Sequence, residues 1–548
     1  MAIESGRSLF RSTIVAVTAA TLAVTGAATV LSRTPTTALA ASAAGVEDEG
    51  ADCAVSLPGS TPSDSRLPDP FKKIDGTRIT AKSDWRCRRE EIRKLAERSV
   101  YGTKPGKPAG VTGSVTRTAI SVSVSDSGRS ASFSASVSLP SGTGPFPAVF
   151  VVGGLGADTA TIQAAGVAVI NYDPLAVGKE GTPRTSKQGA FYSIYGATST
   201  TGLEAAWAWG VSRLIDVIEQ SGASILKADA LGVTGCSRYG KGAFAIGAFD
   251  QRIALTMPIE SGSGGVPILR GIAGESGAQP LSSAYSEQPW LGDAFSAYTG
   301  NPNALPVDTH ETVAMIAPRG LLVMENPHID WLAARSGSVS ALAGAEVYKA
   351  LGAGDNITYW SDVADGTHCA VRPEWKVPLQ QNLQKFLLKT GNAAGTFRIS
   401  SLKAGNLADW RTWTTPTLSD SPGSPSPSPS SPPPSSPPPS SPPASSPPPV
   451  GGACAAAYRT VNAWQGGFQG EVTVTAGSSA INGWTVRWTL ASGQTISQVW
   501  NGTLTVSGGS ATVKNLSYNG SLGAGGSTTF GFLGTGTGSA NGITCTSP

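Results

Sequence analysis

The chain has 548 residues, 40% hydrophobic and 14% charged, which is enough for two or more domains with cores of their own. A formal net charge of +3 leaves no electrostatic footprint for nucleic acid or an anionic membrane, and neither is expected as a partner.

Arg7 and Arg11 precede a small-apolar run, Ser12 to Leu31, followed by Ala38-Leu39-Ala40, an A-x-A cleavage pattern. Residues 1–40 are therefore expected to be an export signal, and the protein to be secreted and extracellular. Outside the cytoplasm, an even count of six cysteines implies three disulfides. Position pairs Cys53 with Cys87, Cys236 with Cys369 and Cys454 with Cys545. None has C-x-x-C spacing, so no metal site is expected.

Residues 41–70 are small, polar and acidic, the composition of a flexible leader ahead of a catalytic domain at 71–417. Asp84 to Ser99 has a helical pattern, with Ile92, Leu95 and Ala96 as its apolar face. Val111 to Leu139 alternates Val, Ile and Phe with Ser and Thr, which predicts antiparallel strands with one solvated face. Phe146 to Val152 reads as a buried strand ending in the turn Gly153-Gly154, and Val167 to Tyr172 as the next strand. Thr201 to Glu219 is apolar at helical spacing, with Trp207 and Trp209 in the core. Strands follow at Leu231 to Gly235, Ile253 to Ile259, Gly320 to Met324 and Ile357 to Trp360, and a closing helix at Pro378 to Leu388. Strands alternating with helices behind a set of hairpins predict an α/β fold, a three-layer sandwich of the α/β-hydrolase type. Residues 418–449 are almost entirely Pro and Ser, an extended spacer. Residues 450–548, with Thr/Val alternation and Gly turns, predict an all-β sandwich.

The first of the later strands runs into Gly235-Cys236-Ser237-Arg238-Tyr239-Gly240 and then a helical pattern. A strand turning sharply into a helix at a serine is a nucleophile elbow, with the helix N-terminus offering N–H groups to a developing oxyanion. The spacing, Gly-x-Ser-x-x-Gly, is one residue longer than the common form. A serine nucleophile needs an imidazole, and the chain has three: His310, His328 and His368. His368 follows the Trp360 strand in a Gly-containing loop. A Cys236–Cys369 bridge would tie the residue before the serine to the residue after this histidine. For the acid, Glu260, Glu325 and Asp330 each follow a strand, and pattern leaves the three open.

The run Gly235-Cys236-Ser237-Arg238-Tyr239-Gly240-Lys241-Gly242-Ala243 resembles the G-C-S-R-x-G-K-x-A signature of glucuronoyl esterases, carbohydrate esterase family 15. The resemblance extends over roughly residues 50–400 through Pro258-Ile259-Glu260-Ser261-Gly262, Glu287-Gln288-Pro289-Trp290-Leu291, Pro318-Arg319-Gly320-Leu321-Leu322 and Thr367-His368-Cys369. It implies Ser237 as nucleophile, His368 as base, Glu260 as acid and Arg238 as oxyanion stabiliser. It also implies that Lys241, Glu287, Trp331 and, by spacing, Gln279 hold the sugar. Fungal members carry a further disulfide that this sequence lacks, and some bacterial members place the acid at the next strand end, where Glu325 and Asp330 stand. The implied substrate is the ester between glucuronic acid of glucuronoxylan and a lignin alcohol.

Cys454 to Cys545 resembles a family 2 carbohydrate-binding module, through Asn462-Ala463-Trp464, Gln498-Val499-Trp500-Asn501-Gly502 and Tyr518-Asn519-Gly520 among other segments. The resemblance implies Trp464, Trp500 and Tyr518 as a coplanar platform on cellulose, or on xylan. Tyr518 stands where Trp is more usual, and the segment before Cys545 is short. Trp484 and Trp488 are expected in the core. The sequence thus points to a secreted, monomeric serine esterase tethered to cellulose. A general carboxyl or acetyl-xylan esterase, and a non-catalytic wall-binding protein, are the competing expectations.

Overall fold

The computed structural model describes residues 46–420, 453–464, 467–516, 519–536 and 540–547, without the side chains of 461–464, 497–498 and 500. The expected export signal and nearly all of the Pro/Ser spacer lie outside the described residues. Those residues fall into two units, divided within the Pro/Ser tract.

The first unit is built on a ten-stranded sheet of β1 (Gly110–Val115), β2 (Ala119–Asp126), β3 (Arg129–Ser138), β4 (Phe146–Val152), β5 (Ala168–Tyr172), β6 (Leu226–Cys236), β7 (Ile253–Ile259), β8 (Gly320–Met324), β9 (Ile357–Trp360) and β10 (Phe397–Arg398). Their order is β1-β2-β3-β5-β4-β6-β7-β8-β9-β10. The β1–β2 and β2–β3 pairings are antiparallel, as the Ser/Val alternation predicts, and β3 also pairs antiparallel with β5; from β5 across to β10 the neighbours pair in parallel.

Strand β4 shows why the central strands are continuously apolar. Its residues alternate between two cores: Val149 and Val151 join Leu255, Met257 and Leu379 on one face, while Phe150 and Val152 join Val233, Ile246 and Trp207 on the other. The helix Pro373–Asn382 covers the first face, and the helices Leu203–Gln220 and Arg238–Phe249 cover the second. Each such side chain contributes about 1.5–3 kcal/mol by leaving water. Chain order reverses between β4 and β6, so the carboxyl ends of these two strands open a crevice.

Two expectations are corrected, and one helix goes unpredicted. The closing helix begins at Pro373, in the first helical position, where its missing N–H costs nothing, and Pro378 lies inside it. The helix Ala334–Ala350 is not visible as a pattern, because its Ala, Gly and Ser residues are buried on nearly all sides and leave no polar stripe. The leader is fastened from Glu47 onward: this carboxylate is buried among Lys104, Arg213 and Arg252, and Cys53 is bonded to Cys87. Those partners lie far along the chain, so local composition does not reveal them.

The second unit is a sandwich of two four-stranded antiparallel sheets. Trp484 stacks on Phe530 at 5.4 Å and Trp488 on Phe532 at 5.1 Å, both tryptophans in the core. The Cys454–Cys545 disulfide closes it. The side chains of Trp464 and Trp500, and all of Tyr518, lie outside the described residues.

Candidate active site

Ser237 stands at the carboxyl end of β6, as the cap of the helix Arg238–Phe249, with φ 59° and ψ −127°. The glycines around it explain the long spacing. A Cβ on Gly235 would lie 2.5 Å from the Tyr239 carbonyl oxygen, and one on Gly240 would lie 2.5 Å from the Ile259 carbonyl oxygen at the end of β7. The second glycine therefore lets the new helix press against the neighbouring strand. Across the crevice, Gly153 allows the Tyr239 ring to lie against the chain after β4, where a Cβ would sit 2.2 Å from the ring. The elbow is pinned by Ser237 N–H donating to Ile259 O at 2.9 Å. The first N–H groups of the helix have no intrahelical acceptor.

The next strand end supplies the carboxylate. Glu260, with φ 44°, follows β7 and donates its N–H to Met324 O at the end of β8, 2.7 Å away. Its Oε2 accepts from His368 Nδ1 at 2.7 Å and from Cys369 N–H at 2.7 Å; Oε1 accepts from Asn326 Nδ2 at 3.1 Å. Arg372 Nε lies 3.9 Å from Oε1 and is nearly buried. The carboxylate oxygen is the acceptor, so Nδ1–H is the donor of this bond, which fixes the tautomer and orientation of the ring. The Cys236–Cys369 disulfide holds the flanks of Ser237 and His368 with Cα atoms 5.8 Å apart, and Gly156 packs against it.

The other candidates are placed elsewhere. Asp330 pairs with Lys403 at 2.9 Å. Glu325 is buried and accepts from Ser261 Oγ at 3.4 Å. Burial, reinforced by the Glu260 charge, pushes its carboxyl up to about 8. His310 is buried, donates Nε2–H to Pro68 O at 2.9 Å and stacks on Trp413; burial pushes it down to about 4. His328 donates to Val363 O at 2.9 Å.

The neutral Glu325 carboxyl has a measurable consequence. A carboxyl whose folded pKa is raised binds more protons folded than unfolded between about 4.5 and 8, so it lowers stability as pH rises through that window. Glu325→Gln is expected to remove that slope in urea unfolding at pH 5 and pH 8, and to keep kcat at pH 7 within about threefold.

A pocket beside the serine is lined by Arg238, Lys241, Gln279, Glu287, Trp290 and Trp331 as well as Ser237 itself. Lys241 Nζ donates to Ser261 O at 2.6 Å and lies 5.2 Å from the centre of the Trp290 ring. Burial pushes its ammonium down, opposed by Glu204 and Glu287, while burial pushes Glu204 up to about 8. Gln279 donates from Nε2 to Glu287 Oε2 at 2.8 Å. Trp331 is 53% exposed and meets His368 edge-on at 6.0 Å, so it is a pocket wall and not core. The structure thus brings Ser237, Arg238, Lys241, Gln279, Glu287 and Trp331 into one pocket and sets Glu260 on His368. Asn326 and Arg372 beside Glu260, and Glu180, which accepts from the Trp290 indole N–H at 2.6 Å, carry no signal in the sequence; Trp290 stands in a matched segment but has no assigned role.

A sequence profile described as glucuronyl esterase, fungi, matches residues 122–352, and one described as cellulose binding domain matches residues 454–547. The 4-O-methyl-glucuronoyl methylesterase of Hypocrea jecorina is 38% identical over 378 residues, covering 68% of this chain and 80% of the relative. That of Neurospora crassa is 39% identical over 373 residues, 67% of this chain and 93% of the relative. Among solved structures, the glucuronoyl esterase from Sporotrichum thermophile matches with TM-score 0.63 and 38% identity, covering 67% of this chain and 100% of that one. An alanine mutant of that esterase in complex with methyl 4-O-methyl-β-D-glucopyranuronate matches with TM-score 0.63 and 37% identity, with the same coverage.

Proposed function

The chain belongs to the glucuronoyl esterase family, and on that premise we propose that it cleaves 4-O-methyl-glucuronate esters with Ser237 as nucleophile, His368 as base and Glu260 as acid. It is a carboxylic ester hydrolase with an appended cellulose-binding domain. The observation that carries the residue assignment is the 2.7 Å bond from His368 to Glu260 beside an elbow serine that opens into a polar, aromatic-walled pocket. Ser237 Oγ attacks the C6 carbonyl while His368 Nε2 takes its proton, and the carbonyl oxygen becomes an oxyanion facing the helix N-terminus and Arg238. His368 returns the proton to the departing alcohol. Water, deprotonated by His368, then releases the glucuronate and restores Ser237. Glu260 stays ionised, fixing the imidazole tautomer and supporting the transient imidazolium. Lys241, Gln279 and Glu287 hold the sugar hydroxyls, and Trp331 offers an apolar face to the pyranose.

The alcohol side is proposed to be a lignin alcohol and the acid a branch of glucuronoxylan, acted on by a monomer exported to the extracellular space. Among the described residues no helix is long and apolar enough to cross a membrane. The test is hydrolysis of benzyl glucuronate beside 4-nitrophenyl acetate. Glucuronate ester cleavage with a kcat/KM at least about tenfold higher supports the proposal; a preference for acetate assigns the chain to the general esterases instead.

Trp464, Trp500 and Tyr518 are proposed as the cellulose platform. Replacing both tryptophans with Ala is expected to reduce retention on microcrystalline cellulose by about tenfold or more, while leaving hydrolysis of soluble benzyl glucuronate unchanged. Undiminished retention would place the binding face elsewhere.

A further inference from the structure

Arg238 does not hold its own position. Its side chain is 47% exposed, and a long, exposed guanidinium samples many rotamers unless something fixes it. The Tyr239 ring lies 5.9 Å from the Arg238 guanidinium carbon, and the hydrogen-bonding partner that fixes this side chain is Glu180, a loop residue whose side chain is only 11% exposed. Its Oε2 accepts from Arg238 Nη1 at 3.2 Å, and its Oε1 accepts from the Trp290 indole N–H at 2.6 Å. The loop is itself fastened on both sides: Lys179 N–H donates to Gln188 O at 2.8 Å, and Gly181 N–H donates to Gln288 Oε1 at 2.6 Å. Trp290 is buried and carries Lys241 over its ring.

We infer that Glu180 is a positioning residue for this reaction. It aims the Arg238 guanidinium at the oxyanion and, by carrying a negative charge beside that cation, keeps the site from retaining the carboxylate product. The inference rests on the assignment of Ser237 and Arg238 made above. Two consequences separate it from a merely structural role. A fixed cation stabilises charge that develops only in the transition state, so loss of its holder lowers kcat and leaves KM for a neutral ester nearly unchanged. An Arg238 relieved of its counter-charge also attracts the glucuronate anion more strongly.

The experiment uses the full chain and a methyl ester of 4-O-methylglucuronate, with Glu180→Gln as the main variant. The amide oxygen of Gln still accepts from Trp290, while its NH₂ turns a donor toward Arg238. Expected results are kcat lower by about tenfold, KM within about twofold, and inhibition by free glucuronate about fivefold stronger. Arg238→Ala alone is expected to lower kcat by about 10²-fold, and adding Glu180→Gln to it is expected to lower kcat no further. Glu180→Ala, checked by thermal unfolding, provides a second variant that removes both contacts. An inactive wild type, or an Arg238→Ala variant with full kcat, overturns the reading of the site itself. An active wild type and an impaired Arg238→Ala, with Glu180→Gln silent or equally harmful in both backgrounds, overturns the role of Glu180 alone.

Discussion

Replacing Ser237 with Ala is expected to lower kcat on benzyl glucuronate by about 10⁵-fold, with KM within a few-fold of wild type. Removing Oγ deletes the atom that forms the acyl bond, and no other side chain among those described around the pocket offers an activated oxygen in its place. The pocket survives, because Arg238, Lys241, Gln279, Glu287 and Trp331 are untouched, so binding is retained while covalent chemistry is lost. The fold survives as well. The strained turn at φ 59° depends on Gly235 and Gly240, whose neighbours leave no room for a Cβ, and not on the serine hydroxyl. An unchanged thermal unfolding midpoint beside a lost kcat is therefore the expected pair of readings. Wild-type kcat in this variant would remove the serine mechanism.

Glu260→Ala is expected to have the next largest effect, a fall in kcat of about 10³–10⁴-fold. The carboxylate is the acceptor for three donors, His368 Nδ1–H, Cys369 N–H and Asn326 Nδ2–H, and it faces the nearly buried Arg372. Without it the imidazole loses the bond that fixes its tautomer, and a buried cation loses a counter-charge. Some loss of stability accompanies the loss of rate. Asp330→Ala, which breaks the bridge to Lys403 and none of the hydrogen bonds to Glu260, is expected to keep kcat within about twofold, and Glu325→Gln within about threefold. The three variants measured in one assay separate the three strand-end acids. A larger fall for Asp330 or Glu325 than for Glu260 would move the acid to the end of β8.

The elbow was legible because its information is local. Apolar residues, then glycine, serine, glycine and a helical pattern lie within a few residues, and the positive φ at Ser237 follows from them. The central strands were legible for the same reason, each being a continuous apolar run that both faces of the sheet demand. The acid was not legible from pattern. Glu260, Glu325 and Asp330 all follow strands, and only the sheet order β6-β7-β8, with the Cys236–Cys369 bridge drawing the His368 loop over the end of β7, sets Glu260 apart; the resemblance to glucuronoyl esterases supplied that choice in advance. Glu180 could not be read at all. It looks like a solvated loop carboxylate, and its partners Arg238 and Trp290 lie 58 and 110 residues away. The leader at 41–70 reads as flexible on the same grounds, since a carboxylate such as Glu47 in a small, polar segment gives no sign of buried arginines much later in the chain.

The most direct test of the account is covalent labelling by an organophosphate serine reagent, with the adduct located by mass spectrometry and hydrolysis of benzyl glucuronate followed in parallel. The account predicts a single adduct on the peptide carrying Ser237, loss of activity in proportion to labelling, and slower labelling when a methyl glucuronate ester occupies the pocket. Labelling at another residue, or full labelling of Ser237 with glucuronate ester hydrolysis intact, would contradict it.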